Sequence, residues 1–268
     1  MFNLLEGDCL DVMTEIETDS VDAVIVDPPY GTTACQWDSI IPLDPMWEHL
    51  KRITKSDSAI VIMAAQPFTT MLISSNIKMF KYCWVWEKNT GTNFFHAQRQ
   101  PIRYTEDIVV FMDGACHYNP QKTYGHIPAN SGIGRNTGNI YSGESSVDYH
   151  GGSTQRFPRN IIKFDTVNNY DLLIPTQKPV PLMEYLVKTY TNMGDVVLDF
   201  AMGSGTTGIA CVQTGRDFIG IEIDKESFKK AKASITQAEA RITGSLINAN
   251  NDTVKGLPMF MGFNNATE

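Results

Sequence analysis

The chain has 268 residues, 42% of them hydrophobic, with 22 Lys and Arg against 30 Asp and Glu for a formal charge of −8. That length and apolar content bury one sizeable core in a globular protein, and the acidic total excludes one that coats nucleic acid by bulk charge. The charge is uneven: residues 81–163 hold nine Lys and Arg against six Asp and Glu, a net of +3, leaving −11 to the rest. The middle of the chain is therefore the segment suited to phosphate contact.

The five cysteines, Cys9, Cys35, Cys83, Cys116 and Cys211, are odd in number and never spaced C-x-x-C. Neither a disulfide framework nor a zinc cluster is expected, and they read as reduced and mostly buried thiols. His96, His117, His126 and His150 fit no metal-ligand spacing, so no metal is expected. The start Met-Phe-Asn-Leu-Leu-Glu lacks the basic and long apolar parts of a signal peptide, and the apolar run Ala59 to Ala65 is too short to span a bilayer. A cytoplasmic protein without a membrane partner is the expectation.

In chain order, the apolar patterns predict a strand over Phe2 to Leu5, a short helix over Leu10 to Ile16 and a strand over Val21 to Val26. A helix over Pro45 to Ile53, a buried strand over Ala59 to Met63 and a helix over Phe68 to Ser74 follow. Strands at Tyr82 to Trp86 and Ile108 to Phe111 extend the sheet, with an aromatic and polar stretch between them. From Asp113 to Asp165 Gly, Asn, Ser and Tyr dominate and no period survives, which reads as a mobile recognition insert. Regular patterns return as a helix over Pro179 to Tyr190 with Thr176 as its cap, a strand over Val196 to Asp199 and a helix over Thr206 to Gln213. A strand over Phe218 to Ile221 and a helix over Lys225 to Ala240 complete the order, and the tail after Gly244 shows no clear period.

Val196-Val-Leu-Asp199 leads into Gly203-Ser204-Gly205-Thr206-Thr-Gly208, where glycine permits a tight turn and close backbone approach to a ligand. Glu222 lies nineteen residues after Gly203 at the end of the next strand, where a carboxylate reaches both hydroxyls of a ribose. The pair indicates a nucleoside-bearing cofactor, although the same glycine spacing fits nicotinamide dinucleotides. A second motif separates the two. Val24-Ile-Val-Asp27-Pro28-Pro29-Tyr30 is a strand ending in a turn that two prolines stiffen. The Asp27 carboxylate and Pro28 carbonyl are two acceptors for the hydrogens of an exocyclic amino group, whose lone pair is otherwise delocalised into its ring. Tyr30 is placed to stack on the base, and Trp37 beyond it either stacks or packs.

These residues resemble those of S-adenosylmethionine-dependent DNA amino-methyltransferases of the adenine-N6 or cytosine-N4 kind. Asp27-Pro28-Pro29-Tyr30 resembles the family's catalytic motif, and Asp199, Phe200, Gly203, Ser204, Gly205 and Thr206 its methyl-donor loop. Gly220-Ile-Glu222-Ile223-Asp224 resembles the ribose-binding strand end, and Gly7-Asp8-Cys9 the turn that contacts the donor's adenine. Thr176-Gln-Lys178-Pro179 resembles the segment that binds the methionine carboxylate. The catalytic motif precedes the donor loop, as in the permuted beta class. The resemblance implies an α/β, doubly wound Rossmann-like sheet in circularly permuted order, with first and last strands close enough for Asp8 and Glu222 to share a pocket. Residues 1–112 are the expected catalytic half, 113–165 the target-recognition insert, 166–244 the cofactor half and 245–268 a tail.

The implied cofactor is S-adenosyl-L-methionine and the implied substrate double-stranded DNA, its target base flipped out of the stack. Asp ahead of Pro-Pro-Tyr inclines the resemblance to adenine N6. Arg135, Arg156, Arg159 and Lys163 are the candidates for phosphate or guanine contact. A homodimer and a cognate restriction endonuclease are possible partners. Cytosine-N4, RNA or protein-glutamine methylation, an inactive donor-binding module and a nicotinamide oxidoreductase are the alternatives.

Overall fold

Runs of Val, Ile and Leu without polar interruption need cover on both faces. Such runs build the centre of the computed structural model, which describes residues 1–33, 35, 38–128, 132–135, 146–149, 151–168, 172–174 and 177–255. The first half carries β1 (Phe2–Glu6), α1 (Cys9–Val12), β2 (Val21–Val26), α2 (Leu43–Ile53), β3 (Thr54–Ala64), α3 (Phe68–Ser75), β4 (Phe80–Thr92) and β5 (Arg103–Met112). The second carries β6 (Gly132–Arg135), β7 (Ser146–Tyr149), β8 (Ile161–Lys163), α4 (Val180–Tyr190), β9 (Val196–Asp199), α5 (Thr206–Thr214), β10 (Asp217–Glu222) and α6 (Lys225–Lys255).

Eight strands form one sheet in the order β1-β10-β9-β2-β3-β5-β4-β8, and β6 pairs with β7 apart from it. Every strand of the sheet runs in one direction except β5, which is antiparallel to both β3 and β4. Alternation along the strands divides the core. Ala59, Val61 and Met63 of β3 face α4, α5 and α6, whereas Ile60, Ile62 and Ala64 face α1, α2 and α3. The sheet is therefore doubly wound, as expected. The chain's first strand pairs with its last, Phe2 opposite Phe218 and Glu6 opposite Glu222, as the permuted order requires.

Four expectations are corrected. Within 113–165 the segment Ile161–Lys163 joins the main sheet beside β4, and β6 and β7 form a hairpin. Three residues with Ile162 alone buried, and a Gly-Ile-Gly-Arg strand, are too short and too glycine-rich to show a period. The aromatic and polar stretch between the predicted strands is strand at both its ends, because β4 runs on past Trp86 to Thr92 and β5 starts at Arg103 opposite it, with 93–102 as the loop between them. The last helix runs through Gly244 to Lys255; its polar far end has no apolar stripe to signal it. Of the cysteines, Cys9 and Cys211 are buried, Cys83 and Cys116 half-buried and Cys35 exposed, all of them free. Pro179 in extended conformation precedes α4 without a side-chain cap, and Thr176, like Trp37, lies outside the described residues.

Gly208 sets the contact between α5, β10 and α6: a Cβ there meets Ile235 Cδ1 at 2.5 Å and Phe218 Cε1 at 2.7 Å. We expect Gly208→Ala to overpack this junction and lower stability by about 1–3 kcal/mol. Urea unfolding measures it, and an unchanged midpoint would refute the close packing.

Candidate active site

β2 and β9 are neighbours, Val24 beside Leu198, so Asp27 just after one and Asp199 at the end of the other stand together at the carboxyl edge. This is where the strand order reverses, the usual ligand crevice of an open parallel sheet. Next to β9, β10 ends on Glu222, and next to β10, β1 leads into Gly7 and Asp8, whose turn is held by the Gly7 N–H on the Glu222 carbonyl at 3.0 Å. The strand ends open into a cleft of about 660 Å³. Asp8, Cys9, Asp27, Pro28, Pro29, Tyr30, Lys178, Asp199, Phe200, Gly203, Ser204, Thr206, Glu222 and Ile223 all line it.

The glycine loop is shaped by two left-handed residues, Gly203 at φ +51° and Gly205 at φ +80°. That φ strains any side chain at Gly203, and a Cβ there would also come within 2.9 Å of Ile174 Cδ1, which would have to move aside. The Glu222 carboxylate accepts from the Gly203 and Asp224 amides at 2.8 Å each, which holds it at the cleft wall with lone pairs still open. Asp199 is turned inward, accepting from the Thr207 hydroxyl at 2.6 Å and the Ala201 amide at 3.1 Å. Burial dominates its environment and raises its pKa to about 7. Asp199 thus holds the loop's shape. Asp8 caps α1 through the Leu10 amide at 2.8 Å, and burial, with Asp8 beside it, pushes the Cys9 thiol up to about 12, leaving it a neutral packing group.

The catalytic turn carries a chain of charges. Asp27 Oδ1 accepts from the Tyr30 hydroxyl at 2.5 Å and Oδ2 from Lys178 Nζ at 2.6 Å. Lys178 also lies 3.5 Å from Glu106 Oε2, and Glu106 Oε1 accepts from Lys88 Nζ at 2.8 Å. Burial raises the Asp27 pKa, Lys178 pulls it back and Glu106 adds to the rise. Lys178 is disfavoured by burial, but Asp27 and Glu106 outweigh this and raise its pKa, so its charge is secure. Glu106 is pushed up by burial and brought below its ordinary value by Lys178 and Lys88. The Tyr30 ring stacks on Phe68 at 5.5 Å with planes 17° apart.

Asp38 is the feature that sequence reading missed. It is buried, and its Oδ1 accepts from the amides of Tyr30 and Gly31 at 2.8 and 2.9 Å, its Oδ2 from those of Thr32 and Thr33 at 2.8 and 2.7 Å. Burial alone would raise its pKa; the Thr33 hydroxyl and these amides reverse the shift. One carboxylate thereby clamps the segment that follows the catalytic turn. Glu106 and Lys88 were missed too; β4 and β5 also carry Lys81, Glu87, Arg103 and Asp107, so charge on these strands does not single out the pair.

Of the four basic candidates, three have described side chains. The Arg156 guanidinium donates to the carbonyls of Ser153, Gln155 and Ile127 and ties the insert to itself. Lys163, at the sheet edge, pairs with Glu87 at 2.8 Å, and Arg159 is exposed. Arg135 lies in β6 with its backbone opposite Ser146, and its side chain is outside what is described.

A doubly wound sheet with a glycine loop and a carboxylate-ended strand beside a proline-stiffened acidic turn, all in one cleft, defines a Rossmann-like methyltransferase. The family model described as DNA methylase (N6_N4_Mtase) matches residues 21–233. The chain belongs to this DNA methylase family and is a DNA methyltransferase. It is 26% identical over 255 residues to the type II methyltransferase M1.MboII of Moraxella bovis, covering 86% of this chain and 95% of that one. It is 27% identical over 240 residues to the DNA adenine methyltransferase YhdJ of Escherichia coli strain K12, covering 84% and 80%. Among solved structures, M1.HpyAVI in its SAM complex superposes with a TM-score of 0.59 at 24% identity over 87% of this chain and 99% of that one. The cytosine-N4-specific PvuII DNA methyltransferase does so with a TM-score of 0.62 at 15% identity over 90% and 92%. At those identities the structures support the fold.

Asp38→Asn replaces one acceptor oxygen by an NH2 that faces two backbone N–H groups, so the clamp is half lost. We expect the methyl-transfer rate to fall about 10²-fold through misplacement of the turn, with donor binding little changed. Single-turnover kinetics measure this, and an unaltered rate would mean the turn keeps its shape without the clamp.

Proposed function

We propose that the chain transfers a methyl group from S-adenosyl-L-methionine to the N6 amino group of adenine in double-stranded DNA. The observation that carries this reading is the meeting, across β2 and β9, of Asp27-Pro28-Pro29-Tyr30 with the Gly203–Gly205 loop in one cleft. The cradle fits the donor: Gly203 lines the cleft and allows close backbone approach, Glu222 faces the cleft as a ribose acceptor, and Asp8 and Cys9 line the end expected to take its adenine, whereas Gly205 shapes the loop where a Cβ would meet Ala231 and Ile235 of α6. When bound, the donor supplies a methyl group already activated by the sulfonium charge.

The work of the protein falls on the acceptor. Asp27 keeps lone pairs beyond those used by Tyr30 and Lys178, so with the Pro28 carbonyl it accepts the two amino hydrogens of the base. That draws the nitrogen toward a tetrahedral shape and directs its lone pair outward. The proton leaves after transfer, through Asp27 or water. Extruding the base costs a few kcal/mol, and stacking on the Tyr30 ring offsets part of it. Lys178, expected at the methionine carboxylate, instead has its ammonium at Asp27, which supports a role in holding that carboxylate ionised. Asp in the first position of the turn and the adenine-directed name of a relative favour adenine over cytosine.

Arg135, Arg159 and Lys163 as DNA contacts, a homodimer, a cognate restriction endonuclease and a cytoplasmic location belong to the same proposal; the type II names of relatives support the nuclease pairing.

Mapping modified bases in DNA from cells expressing the chain, beside an Asp27→Ala control, tests the reading. N6-methyladenine confined to one short motif and absent from the control is expected; N4-methylcytosine, or no modified base, would overturn it. Lys178→Met removes the cation that holds the Asp27 pKa down. Since the ionised carboxylate is the acceptor, the rising limb of kcat/KM against pH is expected to move to higher pH. A changed donor affinity with an unmoved limb would return Lys178 to the methionine carboxylate.

A further inference from the structure

The hairpin joining β4 to β5 ends in residues 93–102, among them a short 3-10 turn, Phe94–His96. Phe95 is 102% exposed and Phe94 55%, an unusual position for two large rings in an otherwise polar loop. The tip is not loosely built. Asn93 adopts a left-handed conformation at φ +74°, and Gly91 lets the two arms close up, since a Cβ there would meet Ile102 at 2.5 Å and Tyr104 at 2.7 Å.

The position of the tip is set by the sheet. β5 alone runs against the other strands, so its beginning, and the end of β4, stand on the same carboxyl edge as Asp27. Asp107 pairs with Ala64, and Arg103 lies four residues beyond it, so the tip rises roughly 14 Å above the level of the catalytic turn. Glu106, at the foot of the same arm, touches the Lys178 that holds Asp27. The tip's charge suits a polyanion: between Lys88 and Glu106 the chain carries Arg99, Arg103 and His96, all exposed, and no carboxylate.

We propose that this tip is a duplex wedge, with Phe95 entering the base stack at the target nucleotide, Phe94 beside it, and Arg99 and Arg103 meeting the flanking phosphates. The proposal rests on the DNA-methylation reading and adds to it a contact outside the 113–165 insert. An apolar ring inserted at a base step unstacks it and fills the gap that an extruded base leaves, which lowers the cost of keeping that base in the cleft.

The test compares the full chain with a Phe94→Ala/Phe95→Ala double variant on two duplexes bearing the mapped motif. In one the target adenine is paired with thymine; in the other it faces an abasic site and is already free to leave the stack. The variant is expected to methylate the paired duplex about tenfold more slowly or worse, yet to match the parent on the abasic duplex. S-Adenosylmethionine binding and thermal stability are expected to stay unchanged, as both rings are exposed. An equal loss on both duplexes, or no loss on the paired one, would overturn the wedge. A parent inactive on every DNA would instead overturn the methylation reading on which the wedge depends, and an active parent with an unaffected variant would overturn the wedge alone.

Discussion

The parallel pairing of β2 with β9 is the contact on which both fold and site depend, for it joins the half of the chain bearing Asp27 to the half bearing the glycine loop. The Asp22 carboxylate reinforces it, accepting from the Val196 amide at 2.8 Å across a separation of 174 residues. Closing so long a loop is less costly than it looks, because each doubling of length adds only about 0.6 kcal/mol. Full burial of one Val, Leu or Ile contributes about 1.5–3 kcal/mol, so Val24, Leu198 and their neighbours readily outweigh it. The same pairing creates the reversal of strand order, and with it the crevice.

Around that crevice the protein accepts an electrostatic arrangement that stability alone does not call for. Asp27, Lys178, Glu106 and Lys88 alternate in sign along one buried chain, so the group carries no net charge into a medium of low polarity. Apolar side chains of equal volume often serve the fold as well or better than buried ion pairs. What apolar groups cannot do is present a carboxylate with directed lone pairs to an amino group. The proline pair, the Asp38 clamp and the Lys178 contact restrain that carboxylate from three sides, one through the backbone, one through four amides and one through charge.

Much of the framework was legible in the chain. Val21 to Val26 and Val196 to Asp199 were readable because continuous apolar runs and glycine turns are local signals with local causes, whereas the terminal strand pairing was expected only from the family resemblance. Where such signals are weak, reading failed: Ile161–Lys163 is too short to show a period, and the polar end of the last helix has no apolar stripe. Within the site, Gly203, Gly205, Glu222 and Asp27 announced themselves by spacing and position at strand ends. Asp38, Glu106, Lys88 and Phe68 did not, since each acts on a segment that its own neighbours in sequence do not specify.

By itself the sequence determined the strands, the two loop chemistries and their order, because backbone preference and apolar periodicity are properties of contiguous residues. Only the tertiary structure decided that the Lys178 ammonium meets Asp27, that Arg156 is spent on carbonyls of its own insert, and that two phenylalanines stand exposed above the catalytic edge. Those outcomes depend on which strand lies beside which and in what direction it runs, and such pairing is selected by burial over the whole sheet.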